Sequence, residues 1–448
     1  MMKRQALLCV VTALLAGCAH YAPQPLASPV DILAAPDPAI LSVEAQKIDR
    51  PYLQPQPIDL TQPLTPNALA IIAILENPDL RAQRAKAGVT DAQAFSARLL
   101  PDPSFQGNFD KILSGPDPFN AFGAQLGFDL NALRTRGVTR QSGEASKRQV
   151  RLDIAWAEWN SAGQARLQGV RVLSLEQQLR VAQANLASAE HLFGAVSRAA
   201  GRGDVSATDL DTRRQALLDA QTKLRTAQSD LATARADLNK QLGLPPERTL
   251  LLAPPPLSPV PPSSAVLLEQ AVARRLDLQA LRAGYDVAEA DLHKAVLEQF
   301  PNLSLTLAYA RDTANNRTIG PAIGFNLPLW NRNRGAIAIA TATRGQLRAE
   351  YDARLFQTRA ELDAAVNGVA ALRLQRSQLI AQMPELRKYS EATARAARRG
   401  DLAEATAQTA VQAYRDRQLT LLQLDQQIAE QTIALELLSG GPSEGWTK

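Results

Sequence analysis

A chain of 448 residues can hold two or three ordinary domains or one long repeated architecture. Aromatic residues reach only 5 % against 46 % hydrophobic and 21 % charged, which favours long helices over a conventional large core. A net charge of +5 spread along helical segments is weak evidence for nucleic-acid binding, and two cysteines and three histidines far apart in sequence exclude a disulfide scaffold or a zinc finger.

Residues 1–17 read as an export leader, with Lys3 and Arg4 at its positive end and a short apolar core from Ala6 to Ala16. The core is too short to cross a membrane as a helix. It ends in Leu15-Ala16-Gly17-Cys18, which resembles the lipobox of bacterial lipoproteins. That resemblance implies cleavage before Cys18 and acylation of its sulfur. Ala19 follows, where an aspartate would point to retention at the inner membrane, so the outer membrane is expected. An ordinary signal peptide with a chance cysteine is the alternative. Residues 18–66, with ten prolines, read as an extended lipid-anchored tether.

The rest of the chain is duplicated at a spacing of 197 to 200 residues. Asp79-Leu80 returns as Asp277-Leu278, Pro101 as Pro301, Gly127-Phe128-Asp129-Leu130 as Gly324-Phe325-Asn326-Leu327, and Arg202-Gly203-Asp204-Val205 as Arg399-Gly400-Asp401-Leu402. The first repeat spans 67–244, with a leading helix, strands within 103–131 and a helical hairpin over 137–243. A proline-rich linker occupies 245–262. The second repeat spans 263–440, with strands within 302–330 and a hairpin over 334–439, and a tail covers 441–448.

The strand segments alternate with period two. Phe105 and Phe109, then Phe122 and Phe128, then Leu305 and Tyr309, then Phe325 fall on apolar faces, opposed by small and polar residues such as Ser104, Gln106, Gln125, Gly127 and Thr306. Segments of about ten residues suit tilted membrane strands. A sandwich with one buried face would show the same alternation. The anchor and the polar loops Ser114–Asn120 and Asp312–Arg317 favour lipid on the apolar side. Four strands do not close a barrel, and a free edge in lipid is forbidden, so an oligomer is required; three copies give 12 strands and two give eight.

The hairpin helices carry heptads: Leu210, Leu217, Leu224, Leu231 and Leu238 in one repeat, Ala407, Tyr414, Leu421, Ile428 and Leu435 in the other. Gly201, Gly203 and Gly400 mark the turns, and Ser206 followed by Asp209 reads as a cap. The tip residues Gly201, Gly203, Val205, Ser206, Gly400 and Leu402 are candidates for docking, with a plain hairpin turn as the alternative.

Together these residues resemble the outer-membrane factor family, the TolC-like exit ducts of tripartite efflux pumps and type I secretion. The stretch Leu327-Pro328-Leu329-Trp330-Asn331-Arg332-Asn333-Arg334-Gly335 is similar to the end of the last strand in the CzcC-like, lipoprotein branch, which serves heavy-metal pumps. The resemblance implies a mainly α fold with a membrane β-barrel: a homotrimer with one 12-stranded barrel in outer-membrane lipid and an α-helical tunnel. It also implies hairpin tips that meet a periplasmic adaptor joined to an inner-membrane transporter. Family members often carry acids after the second tip glycine; Thr406 and Thr409 stand there instead. Asp204, Asp209, Asp401 and Glu404 are then the acidic candidates for a constriction. Arg395, Arg398 and Arg399 are expected to pair with acids of neighbouring helices and latch the tip.

No serine-hydrolase elbow, phosphate loop or zincin motif occurs, so neither an enzyme nor a cofactor or metal site is expected. His191 and His293 lack an i+4 partner and read as structural or surface residues. Trp156 and Trp159 share a helical face and read as interior packing. A drug or organic-compound duct, a periplasmic coiled-coil adaptor and a structural lipoprotein are the rival readings.

Overall fold

A computed structural model describes residues 21–256 and 258–447. The leader and the proposed lipidation site Cys18 lie outside them. Residues 21–36 form a unit of their own containing α1 (Pro29–Leu33), whose N-cap Ser28 accepts from the Asp31 amide. The remainder begins with α2 (Pro38–Gln46), α3 (Pro66–Glu76) and α4 (Pro78–Ser96). Then come β1 (Ser104–Asp110), β2 (Ala121–Asp129), α5 (Leu130–Gly201) and α6 (Ala207–Leu242). The second repeat supplies α7 (Ser264–Arg274), α8 (Leu276–Leu297), β3 (Leu303–Arg311), β4 (Arg317–Phe325), α9 (Arg334–Arg399) and α10 (Glu404–Ser439), followed by a 3₁₀ turn over Ser443–Thr447.

The segment expected to be an extended tether folds instead. Leu41 and Ala45 of α2, then Ile48, Ile58, Leu60 and Leu64, are buried in one cluster with α3, α5 and α6. Leu64 also pairs with the interrepeat linker, its amide donating to the Leu251 carbonyl at 2.8 Å while Ala253 donates to its own carbonyl at 2.9 Å. The prolines that argued against structure serve as helix starts. Pro38, Pro66 and Pro78 lie in the first helical positions, where a missing N–H costs nothing and the fixed φ suits the helix.

Each repeat breaks its leading helix at an equivalent point. Asn77 ends α3 and caps α4, accepting from Asp79 and Leu80 amides; Arg275 separates α7 from α8. The end of the long hairpin returns to this break. Asn77 Nδ2 donates to Gln241 O at 2.9 Å, and Arg275 Nη1 to Leu438 O at 3.4 Å, 197 residues on. The short helix before each break plugs the open end of its hairpin. Ile71 and Ile72 of α3 are wholly buried against α5 and α6, while Leu267 and Ala271 of α7 meet Leu362, Val369 and Leu435. Each fully buried isoleucine or leucine here contributes about 1.5–3 kcal/mol.

The heptad seams close the hairpins. Leu231, Ala234 and Leu238 of α6, with Ala407, Ile428 and Leu435 of α10, are buried. Alanine on the seam lets paired helices approach closely. At 1.5 Å per residue the 72 residues of α5 extend about 108 Å. The helix begins seven residues before the expected start, directly off β2, because Asp129 accepts from the Asn131 and Ala132 amides and caps it.

Candidate functional site

Two features carry the chemistry: a four-stranded sheet with unlike faces, and two hairpin tips. The sheet is an antiparallel meander in the order β1-β2-β3-β4. Its register aligns Phe105 with Leu126, Leu307 and Pro321 across the four strands, and Phe128 with Leu305 and Ile323. The apolar alternation of every strand therefore falls on a single face. Phe122 and Tyr309 meet there with ring centroids 6.5 Å apart. This face is open: Phe105 is 72 % exposed, Ile319 73 % and Ile323 68 %, and Phe109, Phe128 and Phe325 are exposed too. The opposite face aligns Ser104 with Gly127, Thr306 and Ala322, and Gln106 with Gln125, Ala308 and Gly320. Glycine makes room for polar side chains on it: a Cβ on Gly123 would lie 2.1 Å from Asn108 Oδ1. The outer edges of β1 and β4 have no strand partner among the described residues.

The two tips share one turn. Gly203 and Gly400 take φ of 81° and 83°, a left-handed conformation that glycine adopts without penalty. In the first tip the Asp204 amide donates to Ala199 O, and in the second the Asp401 amide donates to Ala396 O, both at 3.0 Å. Arg202 Nε donates to Asp204 Oδ2 and Arg399 Nε to Asp401 Oδ2, both at 2.8 Å. The arginine–aspartate pair thus staples each turn to itself. The tips then diverge. Ser206 Oγ accepts from the Asp209 amide at 3.1 Å and donates to its Oδ2 at 2.7 Å, a reciprocal cap. Ala403 occupies the equivalent place and leaves α10 without a side-chain cap.

Within the single chain Arg395 and Arg399, expected to form a latch, meet local partners. Arg399 is spent within its own turn, Arg395 reaches Glu391 of its own helix at 3.8 Å, and Arg398 has no ion pair among the described residues. Asp204 and Asp209 are likewise held locally. Of the acidic candidates, Glu404 alone bridges hairpins, and its partner is His191 of α5, with Nδ1 2.9 Å from Oε1. Higher up the same helix pair, Arg415 Nη1 donates to Ala184 O at 3.0 Å, Asn185 Oδ1 at 3.2 Å and Ser188 Oγ at 2.8 Å. Burial pushes the Arg415 guanidinium down from its ordinary pKa. Val205 is half-buried, as is Leu402, while Gly201, Gly203 and Gly400 are exposed at the turns.

Behind the tips, two ion clusters fasten the body. Glu158 of α5 is 2 % exposed and accepts from Arg50 Nε at 2.6 Å and Arg84 Nη2 at 2.6 Å. Burial pushes its carboxyl up, and hydrogen bonds from Arg50 and Arg84 outweigh burial, so the carboxyl sits below its usual range. Arg275, 1 % exposed, pairs with Asp277 at 2.8 Å and lies 5.2 Å from the centroid of Trp156. Trp159 packs edge-on to Tyr52, centroids 4.5 Å apart. Neither Arg415 nor Arg50 carried a signal in the sequence, because their partners lie 108 to 231 residues away. Among the described residues no group of three or more His, Cys, Asp or Glu could hold a metal ion, and no helix is long and apolar enough to cross a membrane.

These features join strands with one apolar and one polar face to long paired helices, and both sheet edges are unpaired among the described residues. Residues 267–441 match the family described as outer membrane efflux protein. The chain is 23 % identical over 322 residues to the cobalt-zinc-cadmium resistance protein CzcC of Cupriavidus metallidurans, covering 71 % of this chain and 75 % of that one. It is 26 % identical over 262 residues to the pyoverdine export outer membrane protein OpmQ of Pseudomonas aeruginosa, covering 58 % of this chain and 53 %, about half, of that relative. Its fold matches the outer-membrane channel OprN with a TM-score of 0.70 at 16 % identity, over 96 % and 99 % of the two chains. It matches CusC with 0.64 at 20 %, over 91 % and 99 %. Over residues 267–441 the chain is thus similar to outer membrane efflux proteins, and over nearly its whole length it shares the fold of these outer-membrane channels.

Proposed function

We propose that three copies of this chain close one cylinder that serves as the outer-membrane exit duct of a tripartite efflux system. The observation that carries this is the sheet: an exposed apolar face, a polar face and two free edges in one element. In lipid each unpaired backbone group costs several kcal/mol, roughly the cost of leaving an amide without a partner. Edge-to-edge pairing between copies removes that cost and leaves the apolar face toward lipid and the polar face toward a pore. The helical hairpins would continue the wall into the periplasm, with Gly203 and Gly400 at the end that meets an adaptor carrying substrate from an inner-membrane transporter. Cys18 is the proposed lipid anchor.

The duct is passive, and its substrate on this reading is a heavy-metal cation. Support comes from the likeness to CzcC, named for cobalt, zinc and cadmium resistance. Selection would lie upstream, since thiolates and imidazoles that favour such ions form no cluster among the described residues. The likeness to OpmQ, named for pyoverdine export, favours an organic compound as the second reading. Planar-bilayer conductance of purified protein tests the duct, with stable channels expected and a non-conducting, detergent-independent monomer overturning it. A deletion strain challenged with cobalt, zinc and cadmium, and separately with organic toxicants, separates the substrates.

A further inference from the structure

The two repeats differ where the sheet hands over to the long helices. In the first, β2 runs straight into α5, and the two arginines there are used internally. Arg134 donates to Asn131 Oδ1 at 2.5 Å and to the Pro301 and Phe300 carbonyls at 3.4 Å, and Arg136 donates to Arg98 O at 3.0 Å. In the second, eight residues separate β4 from α9. They form a protruding loop whose last two residues, Arg332 and Asn333, take φ of 45° and 54°. Side chains other than glycine and asparagine seldom take this conformation, and Asn333 Nδ2 holds the turn by donating to Ala295 O at 2.8 Å. Trp330 at its apex is 91 % exposed, with Leu327 and Leu329 each 61 % exposed beside it. Arg332 and Arg334, the counterparts of Arg134 and Arg136, are exposed and have no ion-pair or side-chain hydrogen-bond partner among the described residues.

We infer that this loop is a membrane-interface anchor: Trp330 inserts at the level of the lipid headgroups, and Arg332 and Arg334 bind the phosphates of anionic phospholipids. The inference rests on the barrel reading, because the loop continues the apolar face of β4 at the end of the sheet that joins the helices. An amphipathic indole suits the headgroup zone. Guanidinium groups pair with phosphate in a fork, and basic residues near an anionic surface add about a factor of five each. A protruding tryptophan next to two unpaired arginines, with the same arginines tucked away in the sister repeat, has the charge and polarity of that surface.

The test uses the full protein in vesicles of phosphatidylglycerol or phosphatidylcholine, with wild-type conductance read first. Bromolipids labelled near the headgroup should quench Trp330 emission more than deeply labelled ones, measured as the difference between wild type and Trp330→Phe. Native mass spectrometry should show retention of phosphatidylglycerol over phosphatidylcholine. Arg332→Gln with Arg334→Gln should cut that preference about twenty-five-fold, two factors of five, and the double lysine variant should keep most of it. Inorganic phosphate added in detergent should leave Trp330 emission unchanged; a shift would assign the arginines to free phosphate and overturn the lipid assignment. Conducting wild type with equal retention by the glutamine variant overturns the anchor and leaves the duct standing. A wild type that neither inserts nor conducts overturns both.

Discussion

Glu158 is a carboxylate removed from water and held by two half-exposed arginines from different elements, Arg50 before α3 and Arg84 in α4. Replacing one partner of a buried charged cluster strands the others, and the partial exposure of both arginines reduces the effect. Glu158→Gln should therefore destabilise by about 2 kcal/mol at neutral pH, read as a lowered thermal midpoint in detergent. The carboxyl's folded pKa is depressed, so its contribution is complete above the ordinary glutamate value, about 4, and is lost as pH falls through the lower folded value. The gap between wild type and variant should close below about pH 4; a constant gap would show that packing rather than charge is responsible. At the tips, the same residue-level logic separates the repeats. Ser206→Ala removes a cap and should cost about 1 kcal/mol, whereas Ala403→Ser places a hydroxyl where φ −63° and ψ 135° already suit a cap and should add up to that amount. Hydrogen exchange of the Asp209 and Thr406 amides reads both.

Among the elements, the strands and heptads were legible because their periods are written in adjacent residues: Phe105, Phe109, Phe122 and Phe128 all reached one face, and Leu231 and Leu238 one seam. Less legible were contacts made across the duplication. The apolar side chains of 41–64 are too sparse to show a period, and they are buried only because α3 and the linker arrive beside them. The pairing of Arg399 with Asp401 was not legible either, because it depends on a turn that reverses the chain and brings Asp401 to it. Gly243 shows how one helix end records a remote neighbour. Its φ is 65°, and a Cβ there would stand 2.3 Å from the Glu76 carbonyl oxygen, a backbone atom that cannot step aside. Gly243→Ala should destabilise by about 2–4 kcal/mol, combining the left-handed penalty with displacement of α3. Gly201, with negative φ and nothing within 4 Å, should gain about 0.5–1 kcal/mol from the same change. Loss of helical circular dichroism on heating compares the two; equal midpoints would mean that α3 does not rest on this turn.

For the whole molecule, the decisive question is which side of the sheet touches lipid. Leu307 and Thr306 are neighbours in the middle of β3 and face opposite ways; the register aligns Leu307 with Leu126 and Pro321, and Thr306 with Gly127 and Ala322. An arginine on the lipid face near the bilayer midplane costs about 2–4 kcal/mol, whereas a lumen-facing charge changes selectivity instead. Leu307→Arg should then reduce insertion into vesicles and the yield of assembled oligomer. Thr306→Arg should insert normally and shift the conducting channel's selectivity toward anions, read as a change in reversal potential under a salt gradient. A closed ring multiplies each substitution by the number of copies, so three arginines would face one lumen in the proposed trimer. Pro321 would constrain the pairing between copies in that trimer: it has no N–H to give, and proline is tolerated in a sheet where a ladder bond is absent. In the proposed ring, its presence in β4, an edge strand in the single chain, would have the neighbouring copy's β1 pass that position without an amide donor from it. If Leu307→Arg inserted as well as Thr306→Arg, the apolar face would be packed against protein, and the cylinder would have to be abandoned for a sandwich.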